Sequence, residues 1–574
     1  MIVLFVALLI GISRLDSDLE TLSKAEKAKK PTVMVVNQVG YLPQWRKTAF
    51  FLNNQNPTVP TQLIESDTKK VVQTIQPGVE FQDTETPDAI ATIDLSGINQ
   101  PGTYYLKQDK LTSVPFQIGQ NIYKQPLITL LRSYYLQRCG VAINDSVTGI
   151  SHPPCHVKDG AIAHTDLYHA AGDNIEALGG WHDAGDYSKY VTTATVSIGR
   201  LLSLYEEYPQ LFPDNQLSIP ESGNGISDLL DEMEFGLDWL LKMQREDGAV
   251  YRKLSGQQWT GDVSPEEDTQ PRYVYGISTP ETAKFAAVMA LASRNFQGLN
   301  PQLASKYLNA AELAWQYLVQ QPEMKVDWVE GDDSGSAIYL ASEYDHEASL
   351  TTDVDDRFWA AAELYITTGK SVFNDYFVNN LDRVEYTLFE WKDPSALALI
   401  SYLKQNRQTV APEVISKIEN KIKQRAESIL QRVQASNYNI ANDRFIWGSN
   451  KMTAEEGITL IYAYQLTNNR DYFNGAIDQL DYLLGRNHFN QTFMTGIGAN
   501  PVMNIDHRFS RAKNIYIPGL VVGGANEEAI DNQVQRNQGQ LSYVDSEASF
   551  ATNEHAIDYN ASVISLMVKL IANT

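Results

Sequence analysis

Short apolar runs separated by turn residues fill the chain from residue 33 to about 118. Thr32-Val33-Met34-Val35-Val36, Lys47-Thr48-Ala49-Phe50-Phe51-Leu52, Gln62-Leu63-Ile64 and Thr103-Tyr104-Tyr105-Leu106 lie between Pro, Gly, Asn and Asp clusters, and Val114-Pro115-Phe116 adds one more strand. That spacing predicts a small all-β sandwich. From about residue 120 the period changes to three and four. Leu127, Leu130, Leu131, Tyr134 and Tyr135 share one helical face, and Leu229, Leu230, Met233, Leu237, Leu240 and Leu241 share another. Thr279-Pro280-Glu281 reads as an N-cap, an N1 proline and a first-turn acid ahead of a helix through Phe285, Val288, Met289 and Ala292. About twelve such segments run to residue 572, alternating with long Gly- and Asn-rich loops. The pattern divides the chain into an N-terminal segment (1–32), a sandwich (33–119) and a large all-α domain (120–574). The long loops of the last are where a cleft would be built.

One loop stands out chemically. Gly179-Gly180-Trp181-His182-Asp183-Ala184-Gly185-Asp186-Tyr187 sets two carboxylates three residues apart between aromatic rings. The helical pattern of Val191, Ala194, Ile198, Leu201, Leu202 and Tyr205 begins directly after it, so backbone N–H groups and the helix dipole favour the ionised form. Such a loop suits an enzyme that activates water beside a sugar ring, although an isolated Asp-x-x-Asp is most often a solvated turn. A second segment, Asn553-Glu554-His555-Ala556-Ile557-Asp558-Tyr559-Asn560-Ala561, places Glu554 at the opening of the last helical pattern. As a proton donor Glu554 needs a raised pKa, from an apolar or like-charged setting. Asp183 and Asp186 would supply the like charge if folding brings the segments together.

Composition narrows the partners. The 574 residues suffice for two or more domains, and the net charge of −24 argues against nucleic acid and against anionic membrane surfaces. With 30 Tyr and 9 Trp there are aromatics enough for sugar-stacking platforms, but composition does not separate them from core rings. Residues Met1 to Ile12 form an apolar run too short for a membrane span of about 20 residues. The run has the length of a signal-peptide core, without a basic flank or a clear cleavage site. Acting as a signal it would make the protein secreted or periplasmic; otherwise the protein is cytoplasmic. Residues 13–30 are charge-rich and lack aromatics, as in a solvated linker. The sequence does not give an oligomeric state.

Together the Trp-His-Asp-Ala-Gly-Asp-Tyr and Asn553–Ala561 segments resemble glycoside hydrolase family 9, the inverting cellulase family. Further likenesses in the same order are Asn37-Gln38-Val39-Gly40-Tyr41-Leu42-Pro43, Gln137-Arg138-Cys139-Gly140, Ile219-Pro220-Glu221-Ser222-Gly223-Asn224-Gly225, Phe358-Trp359-Ala360-Ala361-Ala362-Glu363-Leu364-Tyr365 and Leu484-Gly485-Arg486-Asn487. The first of these resembles the start of an immunoglobulin-like domain. The resemblance implies an immunoglobulin-like sandwich followed by an (α/α)6 barrel that hydrolyses β-1,4-linked oligo- or polysaccharides. It makes Asp186 the base that activates water, Asp183 a helper that holds that water, and Glu554 the acid. It also marks Asp506, His507, Arg508 and Tyr559 as substrate-binding. Family cellulases usually read His-His-Arg where this chain has Asp506-His507-Arg508, and a carboxylate there would pair with a 2-ammonium sugar. Two substrate readings therefore stand side by side, an endoglucanase and an exo-β-D-glucosaminidase. A non-catalytic carbohydrate-binding or scaffold protein is the rival class, disfavoured because all three carboxylates are present.

Two metal readings accompany the resemblance. Cys139, Cys155, His156 and His182 make a Cys2His2 set suited to structural zinc, on residues matching those that hold zinc in relatives. Its rivals are a Cys139–Cys155 disulfide or free buried thiols. Thr351-Thr352-Asp353-Val354-Asp355-Asp356 has the oxygen density for calcium, at a place where the family often carries an acidic calcium loop, although an acidic helix N-terminus needs no metal to explain it.

Overall fold

A computed structural model describes residues 31–329, 332, 348–404 and 410–574. The apolar run and charged linker of residues 1–30 lie outside the described residues. Ten strands form the first domain: β1 (Val33–Val35), β2 (Gly40–Tyr41), β3 (Thr48–Leu52), β4 (Thr61–Glu65), β5 (Val71–Ile75), β6 (Phe81–Gln82), β7 (Ala89–Asp94), β8 (Gly102–Gln108), β9 (Leu111–Thr112) and β10 (Phe116–Ile118). They build two sheets, ordered β1-β3-β7-β6 and β2-β10-β8-β4-β5, with β9 paired to β8.

In the first sheet β1 and β3 are buried on both faces, which is why they read as unbroken apolar runs rather than as alternation. Met34, Ala49, Phe51, Ala91 and Ile93 point into the sandwich core. Val35, Phe50, Leu52 and Ile90, on the opposite face, join the core of the helical domain. Two motifs singled out in the sequence meet at this junction. The Gln38 amide donates to the Leu484 carbonyl (2.9 Å), and the Asn37 side chain donates to Asp481 (2.8 Å).

The helical domain contributes α1 (Lys124–Leu136), α2 (Val191–Glu207), α3 (Asp228–Lys242), α4 (Thr279–Phe296), α5 (Pro301–Gln320), α6 (Val354–Thr368), α7 (Ser371–Asn380), α8 (Ser395–Lys404), α9 (Pro412–Ala435), α10 (Ser449–Thr467), α11 (Arg470–Leu483), α12 (Arg508–Lys513), α13 (Phe550–Asn553) and α14 (Ile557–Ala572). Leaving out the short α12 and α13, twelve helices remain among the described residues, and they form an (α/α)6 barrel. The inner helices α2, α4, α6, α8, α10 and α14 are buried nearly all round. Helix α14 closes the ring by packing on both α10 and α2. The outer helices are amphipathic: α9 buries only Val414, Ile418, Ile422, Ala426, Ile429, Leu430 and Val433, at helical spacing.

One local expectation changes. The N-cap of α4 is Ser278, not Thr279. The Ser278 hydroxyl accepts from the Glu281 amide (3.1 Å) and donates to the Glu281 carboxylate, a side-chain cap that moves Pro280 to the second helical position. The inner helices begin at one end of the barrel, and the loops that precede α2, α10 and α14 gather there around the acidic loop. Among the described residues, no helix is long and apolar enough to cross a membrane.

Candidate active site

Backbone pairing, rather than side chains, brings the two predicted acidic segments together. Ala184 bridges Ala556, and Asp506 bridges Glu554. The Arg508 amide donates to Gly185 O (2.9 Å), the Asp506 amide to Asn553 O (3.1 Å) and the Ile557 amide to Asp183 O (2.9 Å). Glu554 is therefore not in the first turn of the last helix, as its sequence position suggested. It lies on an extended link between α13 and α14, with φ −77° and ψ 142°. A helix dipole has less to do with its chemistry than its neighbours have. Burial, then the charges of Asp506 and Asp186, raise its pKa well above the ordinary glutamate value, with Asp183 adding to them against Arg508. Its Oε1 accepts from the Gly185 amide (3.2 Å).

Gly185 is required by this close approach. A Cβ there would stand 2.2 Å from the Asp506 carbonyl oxygen and 3.1 Å from Glu554 Oε1. Asp183 and Asp186 are more deeply set, 8% and 4% exposed. The Thr193 hydroxyl, in the first turn of α2, donates to Asp183, and Ser188 Oγ donates to Asp186 Oδ2 (2.6 Å). Burial first, then Asp558, holds the Asp183 pKa well above the ordinary aspartate value.

A cavity of about 780 Å³ opens beside Glu554, lined also by Asp506, Arg508, Arg511, Asp262 and three aromatic side chains, Trp259, Trp447 and Phe550. Trp447 and Phe550 stack at 6.1 Å, and Trp259 is half exposed. Trp447 also borders a second cavity of about 220 Å³, lined by Tyr559, Lys392 and Lys451. Of the four residues expected to bind substrate, Asp506, Arg508 and Tyr559 thus face cavities. His507 does not line either one. It is 2% exposed, its ring accepts from the Ser510 amide as the N-cap of α12, and it stacks on His555 at 5.5 Å. Burial holds both imidazoles neutral, His555 with its pKa lowered to about 3. Asp506 is not an idle carboxylate: Arg511 pairs with it directly.

Sequence reasoning missed Trp259, Trp447, Phe550, Arg511 and Asp262. A tryptophan in a Gly- and Asp-rich link between two strand patterns, as in Gln257-Gln258-Trp259-Thr260-Gly261-Asp262, was the available signal.

Beneath the same loop, the side chains of Cys139, Cys155, His156 and His182 place all their ligand atoms within 4.8 Å of one another, a group that could hold a metal ion. The two sulfurs are 3.9 Å apart, far beyond the roughly 2.05 Å of a disulfide, so the disulfide reading fails. Asp268, unforeseen in the sequence, approaches His156 Nε2 at 3.4 Å from outside. The acidic run before α6 has other partners. Asp356 pairs with Lys284 and Asp353 with Arg357 (2.9 Å), so internal cations answer two of the carboxylates expected to hold calcium, while both oxygens of Asp355 are buried without a hydrogen-bond partner among the described residues. Among the described residues only the Cys/His group gathers three or more such ligands.

Comparison with known proteins decides the family. The model of glycosyl hydrolase family 9 matches residues 123–567, and that of the cellulase N-terminal Ig-like domain matches residues 29–113. The chain belongs to glycosyl hydrolase family 9. Among similar family 9 proteins, endoglucanase D of Acetivibrio thermocellus is 32% identical over 540 residues, covering 92% of this chain and 82% of the relative. A xyloglucan-specific endo-β-1,4-glucanase of Bacteroides ovatus is 33% identical over 503 residues, 84% of each chain. The crystal structure of a metagenome-derived family 9 endoglucanase superposes with a TM-score of 0.88 at 39% identity, covering 94% of this chain and 98% of the other. This family 9 chain is a glycoside hydrolase, and the rival reading as a non-catalytic binding protein gives way.

Proposed function

We propose that this hydrolase cleaves internal β-1,4 bonds of glucans with inversion at the anomeric carbon. The observation that carries the reading is the protonated setting of Glu554, tied by backbone bridges to the loop of Asp183 and Asp186 and opening on an aromatic cavity. In this reading Asp186 takes a proton from water, Asp183 holds that water, and Glu554 delivers its proton to the leaving oxygen. Trp259, Trp447 and Phe550 give flat faces on which pyranose rings stack. The endoglucanase relatives support glucan as the substrate.

Pairing of Asp506 with Arg511 favours the glucan over the glucosaminide. A carboxylate already paired with a guanidinium offers less to a sugar ammonium. The test is a panel of cello-, xyloglucan- and chitosan-oligosaccharides, with proton NMR of the first product. Release of the α-anomer from internal bonds of cello-oligosaccharides is expected, and a β-anomer as first product, or turnover confined to glucosaminides, would sink the reading.

Zinc is the metal the Cys/His group fits. Tetrahedral bonds of about 2.3 Å to sulfur and 2.0–2.1 Å to nitrogen require about 3.8 Å between sulfurs, 3.5 Å from sulfur to nitrogen and 3.3 Å between nitrogens. Four of the six separations are 3.9 Å between sulfurs, 3.6 and 3.8 Å from sulfur to nitrogen and 3.4 Å between nitrogens, and all six lie within 4.8 Å. Four protein ligands leave no place for water, so zinc held here would be structural. Bound through His182, it would anchor the loop that presents Asp183 and Asp186.

A further inference from the structure

The six-residue helix α12 is tied along its length to one loop, the link of residues 257–271 between the strands Val250–Gly256 and Arg272–Ser278. Arg508 Nε donates to Thr260 O (2.8 Å) and its guanidinium stands 5.6 Å from the centre of the Trp259 ring. Lys513 pairs with Glu267 (3.1 Å). Between them Arg511 is the branch point. Its Nε and one terminal nitrogen hold Asp262 Oδ1, each at 2.8 Å. The other terminal nitrogen holds Asp506 and the Glu547 carbonyl (3.2 Å). One planar cation therefore joins the segment beside Glu554, the loop that carries Trp259, and the link that leads into α13. A lysine, with a single nitrogen, does not span the two carboxylates in this way.

We propose that Arg511 is a positioning residue that sets which sugars the cleft accepts. It pairs with Asp506 and pins the Trp259 loop, so that the wall beside Glu554 is built for an uncharged pyranose unit. This rests on the glucan reading for its substrate, but it is tested by affinity rather than by turnover.

Dissociation constants for cellohexaose and for the fully deacetylated glucosamine hexamer are measured by calorimetry, with the full chain in a Glu554→Gln background, at mildly acidic pH where the amines are protonated. Arg511→Gln is expected to weaken cellohexaose about tenfold by releasing the Trp259 loop. The freed Asp506 should at the same time strengthen the glucosamine hexamer, so that the ratio of the two constants shifts by more than tenfold. Adding Asp506→Asn to Arg511→Gln should return the ratio to its starting value while cellohexaose stays weakly held. Asp262→Asn should weaken cellohexaose by releasing the loop without strengthening the glucosamine hexamer, and Arg511→Lys, which keeps a charge near Asp506, should weaken both ligands and leave the ratio nearly unmoved. Arg511→Met, which removes the charge but keeps the apolar stem, carries the test if Arg511→Gln does not fold, and should move the ratio the same way. A merely structural arginine would weaken both ligands in parallel. An unmoved ratio in Arg511→Gln, or a glucosamine hexamer held more tightly by Asp262→Asn, overturns the proposal. Hydrolysis of cello-oligosaccharides by the unmodified chain is the separate test of the glucan reading.

Discussion

Asp506 and Glu554 face each other across a parallel backbone bridge, their segments joined by the Asp506 amide on the Asn553 carbonyl at 3.1 Å. After burial, Asp506 is the largest influence raising the Glu554 pKa; Asp186 and Asp183 act in the same direction and Arg508 against them. A general acid works while protonated, so turnover should be high below the folded pKa and fall as pH rises through it. That fall should come well above the ordinary glutamate range of about 4.3. Asp506→Asn removes a like charge and should move the alkaline limb of the rate profile to lower pH. A limb that stays in place, or moves up, contradicts this.

Replacing Glu554 separates activity from stability. Glu554→Gln should lower turnover by roughly 10²–10⁴-fold. The raised folded pKa favours folding fully below the unfolded value and loses that contribution as pH rises through the folded value. The neutral amide lacks this loss, so the variant should melt at a higher temperature than the parent near pH 7 and at about the same temperature near pH 4. Calorimetric scans at the two pH values check the sign.

Asp186 makes one side-chain hydrogen bond, from Ser188, and its buried carboxylate lies among the like charges of Asp183 and Glu554, which offset that bond. Asp186→Ala should therefore leave the melting temperature within about 2 °C while turnover falls by about 10²–10⁴-fold. Wild-type rates in a correctly folded variant would remove Asp186 from the base role.

Gly185 offers a test of the backbone knot itself. A methyl group at this position meets the Asp506 carbonyl at 2.2 Å, and that oxygen belongs to the main chain and cannot swing aside. Gly185→Ala should push the Asp506 segment away from the acidic loop and lower kcat more than it raises KM. Equal activity would mean that the segments can separate without consequence.

Metal removal should act on stability first. One equivalent of zinc is expected in the purified protein by elemental analysis. Chelation, or Cys139→Ser, should lower the melting temperature by roughly 5–10 °C, since a metal that binds only the folded ligands stabilises by mass action. A metal-free protein with unchanged melting would refute the zinc reading.

At the junction of the domains, Asp88 accepts from His488 (2.5 Å) and from Tyr438. Burial pushes its pKa up, but these bonds outweigh it and hold the value down at about 2. A depressed carboxylate stabilises above its unfolded pKa of about 3.9 and ceases to do so as pH falls through about 2. Urea midpoints should therefore drop between about pH 4 and pH 2, and Asp88→Asn should lose about 1–3 kcal/mol at neutral pH and most of that acid-dependent drop. An identical drop in the variant would place the sensitivity elsewhere.

What the sequence determined by itself was local or chemical in nature. Period two against period three and four separated sandwich from barrel, because side-chain periodicity is a property of the backbone alone. The Trp181–Tyr187 loop, the Glu554 segment and the Cys2His2 set were legible because each needs particular residue types. The rest depended on which surfaces meet. Both-face burial of β3 follows only from the barrel packing against it. The extended backbone at Glu554, which puts α14 at Ile557 rather than at the acid, follows from bridges to Asp506 and Ala184 that no local propensity encodes. His507 faces inward because it caps α12, and the aromatic wall exists because Trp259 and Trp447 arrive from two distant loops and Phe550 from the start of α13. Above all, the sequence displayed Asp506 as a bare carboxylate, with a meaning for substrate that only its partner could fix. Arg511, five residues on, claims it in the folded chain, and a charge acquires its chemistry from the charges that folding brings within reach.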